Sequence, residues 1–128
     1  MEFKFNLPDD ESLILVDSEI NDLPFTLAID TGATHTVIDL TALLMAGYSL
    51  SDAKGSVPLE TAKGIIEAYI FEVDYFYVLG KKKTKFKVCS YDFLVNRVLV
   101  NIDGVLGLDF YRGSVLTIDF QKSVIILK

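Results

Sequence analysis

FTLAIDTGATHTVID, residues 25–39, sets a carboxylate at the end of an apolar run and follows it at once with Thr-Gly-Ala. Leu27, Ile29, Val37 and Ile38 mark the flanks as interior, so a merely solvated surface charge fits poorly there. Asp30 is therefore either a turn residue bonding its own backbone or a reagent.

Outward from this stretch the dominant period is two. SLILVDSEI (12–20), LPFTLAID (23–30), IIEAYIFEVDYFYVL (65–79), KFKVCSYDF (85–93) and SVLTIDFQKSVIIL (114–127) all carry Val, Ile, Phe and Tyr in strand-like runs. Turn signals separate them at NDLP (21–24), AKG (62–64), LGK (79–81) and FQKS (120–123). Two short pieces read as helix. DLTALLMAG (39–47) sets Leu40, Leu43 and Leu44 on one face with Gly47 as its C′ residue, and LDFYRG (108–113) supplies a turn or two that stops at Gly113. The spacing predicts an all-β sandwich or barrel with one or two short helices, residues 1–128 forming a single domain.

Composition narrows the function classes. Of 128 residues 51% are hydrophobic and 23% charged, a globular balance able to bury a core without staples. The lone Cys89 cannot form an internal disulfide and reads as a small core residue, while the single His35 leaves no Cys/His cluster for zinc; no metal or other cofactor is expected. MEFKFNLPDDESLILVD (1–17) lacks a basic start followed by an apolar block, and no apolar run reaches the length of a bilayer span, so a soluble, cytoplasmic setting away from membranes is expected. A net charge of −6 argues against nucleic acid as a partner. GKKKTKFK (80–87), with five lysines, reads as a solvated hairpin tip.

Three chemistries use an Asp followed closely by Gly and Thr. Phosphate-binding loops of the sugar-kinase and actin type need two large α/β lobes, and phosphoryl-aspartate enzymes need helices alternating with parallel strands. The aspartic peptidase loop, Asp-Thr-Gly after a strand of a β domain, fits both the length and the period. LAIDTGATHTVID (27–39) resembles the active-site segment of retropepsin-like aspartic peptidases. Downstream, GVLGLDFYRGSVLTIDF (104–120) resembles that family's second hallmark, in which Val105, Leu106 and Gly107 precede a short helix and a closing strand. PLETAKGIIEAYIF (58–71) lies where the family carries its flap. The Gly-Leu-Asp-Phe continuation looks more like cellular single-lobe members than viral ones, and the agreement runs from residue 13 to 127.

The resemblance implies a single-lobe retropepsin-like barrel and an endopeptidase acting on polypeptide. Asp30 would be catalytic. Thr31 and Gly32 would support its loop, the Thr31 hydroxyl bracing two loops against each other. Ala33, Ala62, Lys63 and Gly64 would meet the substrate. Two carboxylates about 3 Å apart can serve as base and acid because they cannot both ionise and so share one proton. The chain has one Asp-Thr-Gly, and IDG (102–104) lacks the hydroxyl residue. A dyad therefore requires a homodimer, each copy donating Asp30 across a twofold axis. SVIILK (123–128), apolar and terminal, is a candidate dimer surface if left as an open edge. Viral members place two acidic residues after Asp-Thr-Gly-Ala and an Arg after the second glycine. Thr34, His35 and Leu108 stand there instead, so both halves of that ion pair are missing together. His35 reads as a cleft-edge or strand residue rather than a catalytic base. The competing expectation is a non-catalytic peptide-binding or dimerisation module with the same fold.

Overall fold

The computed structural model describes residues 1–5, 13–61, 64–92 and 102–128. Strands dominate: β1 (Glu2–Lys4), β2 (Leu15–Ile20), β3 (Leu23–Ile29), β4 (Val37–Asp39), β5 (Gly55–Thr61), β6 (Gly64–Val78), β7 (Lys81–Tyr91), β8 (Gly104–Leu106), β9 (Leu116–Asp119) and β10 (Val124–Leu127). Among the described residues, the α-helices α1 (Leu40–Met45) and α2 (Leu108–Tyr111) and a 3-10 turn at Leu50–Asp52 interrupt them.

Local chemistry explains the hairpins. Val16, Ser18 and Ile20 of β2 point inward at period two, and Ser18 keeps its hydroxyl satisfied by donating to the Phe25 carbonyl at 2.9 Å. Asn21 and Asp22 both adopt positive φ (50° and 69°), so a two-residue turn joins β2 to β3 in a twist that suits the strands. Leu79 and Gly80 do the same between β6 and β7, at 53° and 75°.

Seven strands form one sheet in the order β2-β3-β8-β4-β7-β6-β5, and a further pairing of β2 with β6 closes it into a barrel. The closure depends on the length of β6. Its first half pairs with β5 from Gly55↔Ile70 to Thr61↔Gly64, while its end pairs with β2 at Phe76, Tyr77 and Val78. One continuous strand thus belongs to a projecting hairpin and to the barrel wall. Its apolar side chains divide accordingly. Phe71, Val73, Phe76 and Val78 enter the main core with Leu27, Ile38, Leu43, Leu106, Phe110 and Ile125. Ala68 and Ile66 join a second cluster with Val37, Cys89, Tyr91 and Val105. The fold is all-β, a closed barrel beside a smaller three-stranded sheet.

Three sequence expectations need correction. The lysines of 80–87 do not form a hairpin tip; the turn is Leu79–Gly80, and the lysines lie along β7, paired with β6. Lys83 is structural. Its ammonium donates to the Phe110 carbonyl at 2.9 Å and lies 4.9 and 5.3 Å from the Phe110 and Phe86 ring centres, tying α2 to the barrel. Burial, and the charge of Lys81 after it, lower the Lys83 pKa. SVIILK is no open edge either, since β10 is the middle strand of a second sheet, β1-β10-β9. On α1, Leu43 is buried but Leu44 is 46% exposed; Ala42 takes the inward position beside Leu43. Gly47 ends that helix as expected, at φ 106°. Among the described residues no helix is long and apolar enough to cross a membrane.

Candidate active site

The Asp30 loop owes its position to an unusual strand arrangement. β8 pairs in parallel with β3 (Leu27↔Gly104, Ala28↔Val105, Ile29↔Leu106) and antiparallel with β4 (Val37↔Val105, Ile38↔Gly104). The loop of residues 30–36 must therefore step over the end of β8 to pass from one neighbour to the other. Such close threading leaves no room for side chains at two points. A β-carbon on Gly104 would lie 2.3 Å from the Val37 carbonyl oxygen, and one on Gly107 would lie 2.5 Å from both the carbonyl carbon and oxygen of His35. Both glycines are there for close backbone approach.

Hydrogen bonds then fix the loop. The Asp30 amide donates to the Leu106 carbonyl at 3.1 Å, the Ala33 amide to the Asp30 carbonyl at 3.1 Å, and the Leu108 amide to the Ala33 carbonyl at 2.8 Å. The Gly32 amide donates to Asp30 Oδ1 at 3.0 Å, so the carboxylate is oriented by its own loop. Asp30 is half-buried, while Thr31 and Gly32 at the tip are exposed. Ala33 is half-buried beside them; His35 is exposed and contributes its carbonyl to the packing around Gly107.

The strongest brace comes from residues the sequence reading did not single out. Thr36 has no exposed surface. Its amide donates to the Asp109 carboxylate at 2.9 and 3.0 Å, its hydroxyl donates to Asp109 Oδ1 at 2.7 Å, and that hydroxyl oxygen accepts the Gly107 amide at 3.1 Å. Asp109 thus clasps the far end of the Asp30 loop to α2. It bonds the segment that carries Thr34 and His35, where the ion-pair residues are missing, so a charge-assisted clasp braces the loop without an Arg. The only sequence signal was an acidic residue in the first turn of a predicted helix.

Asp103, in the rejected IDG, is spent on structure. Its carboxylate accepts the Thr26 amide at 2.8 Å, and its own amide donates to the Thr26 carbonyl at 2.7 Å. Cys89 is buried in the second cluster, and burial raises its thiol pKa, as suits an inert core residue.

The β5–β6 hairpin ends with Gly64 at φ 112°, exposed, a conformation that favours glycine. Ala62 and Lys63, expected at its tip, lie outside the described residues. Val57, Leu59 and Ile66 pack from this hairpin against the cluster containing Val37 and Val105, which flank the Asp30 loop in the sheet.

A model of the aspartyl protease family matches residues 16–110, which span the Asp30 loop, the hairpin and the Val105-Leu106-Gly107 element. The chain belongs to the aspartyl protease family. Its fold is similar to that of a retropepsin-like aspartic protease from Rickettsia conorii, with a TM-score of 0.73 at 19% identity over 99% of this chain and 89% of that one. EIAV protease in complex with the inhibitor HBY-793 is also similar, with a TM-score of 0.60 at 17% identity over 84% of this chain and 92% of that one. No curated protein sequence compared with it matches. For this member of the aspartyl protease family, the clasp by Asp109 is the main feature that its motifs alone do not convey.

Proposed function

We propose that this chain is an aspartic endopeptidase that works as a homodimer, with Asp30 of each copy forming the catalytic pair. The observation that carries the reading is an Asp-Thr-Gly loop whose carboxylate is held by Gly32 and whose tip, Thr31 and Gly32, is exposed in the single chain. One carboxylate of the pair takes a proton from water as the water oxygen attacks the peptide carbonyl. The other, protonated, gives its proton to the carbonyl oxygen as the tetrahedral adduct forms. On collapse the first returns its proton to the leaving nitrogen, the C–N bond breaks, and the second regains a proton from a hydroxyl of the adduct, which restores the pair with one shared proton. The polypeptide would lie extended between the Asp30 loop and the β5–β6 hairpin, against Ala33 and the turn that contains Ala62, Lys63 and Gly64. Residues 1–128 are taken as one catalytic domain. A free, buried Cys89 suits a reducing compartment, which supports a cytoplasmic setting.

The test is Asp30→Asn, compared with the unaltered chain in cleavage of a random peptide library from pH 4 to 8 and in sedimentation. Cleavage should vanish in the variant. Two carboxylates brought together share a proton, so dimerisation takes up protons and weakens as pH rises toward neutrality. The amide removes that repulsion, so the variant should dimerise at neutral pH at least as tightly. Full activity in the variant refutes the mechanism, and peptidase activity from a strict monomer refutes the homodimer.

A further inference from the structure

Among the described residues, one buried side-chain polar atom is without a hydrogen-bond partner: the hydroxyl of Tyr111. The residue is 8% exposed, and its ring packs edge-on against Phe110 with ring centres 5.6 Å apart. Burying a hydroxyl with nothing to donate to is costly, so its location is informative. Tyr111 closes α2, the helix fastened to the Asp30 loop through Leu108–Ala33 and Asp109–Thr36. Burial above all, then the charge of Asp30 and after it that of Asp109, push the phenol pKa up. From the barrel side, Lys83 of β7 is occupied with the Phe110 carbonyl and interacts with Asp109. The phenol is thus a donor locked in its protonated form, and the foremost carboxylate acting on it is the one assigned to catalysis.

We infer that Tyr111 is a positioning residue whose hydroxyl donates a hydrogen bond to the Asp30 carboxylate, directly or across one water, when two copies close the site. The inference rests on the peptidase reading and deepens it. A shared-proton pair works only while one carboxylate remains ionised, and a fixed neutral donor behind it favours and orients that ionised form. Because the phenol itself stays protonated, it does not compete as a base.

Tyr111→Phe in the full chain tests this, since it keeps the ring and deletes the oxygen. Three quantities are read: the pH profile of kcat/KM on a fluorogenic peptide drawn from the library, the NMR titration of the Asp30 carboxyl carbon in the dimer, and the Tm. Losing one hydrogen bond to the charged form should move the acid limb and the carboxyl titration up by about one pH unit. A drop in kcat with KM within about twofold should accompany it. An unmoved acid limb and unmoved carboxyl titration overturn the assignment, whether or not the Tm falls. If the unaltered chain cleaves nothing, the carboxyl titration alone decides: a shift upholds the contact while the peptidase reading falls, and no shift overturns both.

Discussion

Replacing Asp109 by alanine should loosen the active-site loop at a cost that can be worked from the clasp. The substitution removes the acceptor of the Thr36 amide, at 2.9 and 3.0 Å, and of the Thr36 hydroxyl, at 2.7 Å. Thr36 is fully buried, so its amide has no solvent to turn to, and such an orphaned donor costs ~1–3 kcal/mol. The hydroxyl loses a charge-assisted bond, adding ~1 kcal/mol or more. Asp109 itself is only half-buried, so water entering beside the new methyl group recovers part of this. The expected net loss is about 2–3 kcal/mol, a fall in Tm of roughly 10 °C for a domain of this size. Asp109→Asn keeps one acceptor oxygen and should lose about half as much. Urea unfolding followed by circular dichroism, at one fixed protein concentration, measures all of these, because a dimer's apparent stability depends on concentration. In a double-mutant cycle with Thr36→Val the pair should couple by more than ~1 kcal/mol. A loss below ~0.5 kcal/mol for the alanine variant, or simple additivity in the cycle, would refute the clasp as an energetic brace.

Gly64→Val should depress peptide turnover far more than global stability, because φ 112° strains any β-branched residue while the hairpin end is exposed; unchanged turnover removes this hairpin from the substrate site. Gly107→Ala drives a methyl group into the His35 carbonyl at 2.5 Å and should cost about 3 kcal/mol or more, so wild-type unfolding behaviour would contradict the threading of β8. Tyr111 gives a sign-definite alkaline effect. Its raised pKa means that the folded chain retains a proton that the unfolded chain releases, so this contribution is fully present below the unfolded phenol pKa and declines as pH climbs above it. The unaltered chain should therefore lose stability between about pH 10 and 11.5 more steeply than Tyr111→Phe, and parallel curves would show that the phenol is not protected.

What the sequence determined by itself was whatever neighbours a few residues apart can decide. Alternation in LVDSEI sets Val16, Ser18 and Ile20 on one face, Asn21 and Asp22 tolerate the positive φ of a tight turn, and Gly47 ends α1. The chemistry of Asp30 and Gly32 is equally local, since the amide that orients the carboxylate lies two residues away. The tertiary structure decided which distant segments meet. Insertion of β8 between β3 and β4 depends on burying Leu106 and Ile38 together, and only that contact explains why residues 104 and 107 must be glycine. The lysines of β7 read as solvent-seeking charge, yet one of them packs on Phe86 and Phe110 because the helix brought there offers a carbonyl and two ring faces. SVIILK read as an open edge because one of its partners, β1, is supplied by the amino terminus and the other, β9, is the strand that follows α2. The clasp by Asp109 could not be read from the sequence for the same reason, beyond its place in the first turn of a predicted helix. A side chain's role is set by what faces it, and what faces Asp109 is a loop brought in by strand pairing across most of the chain.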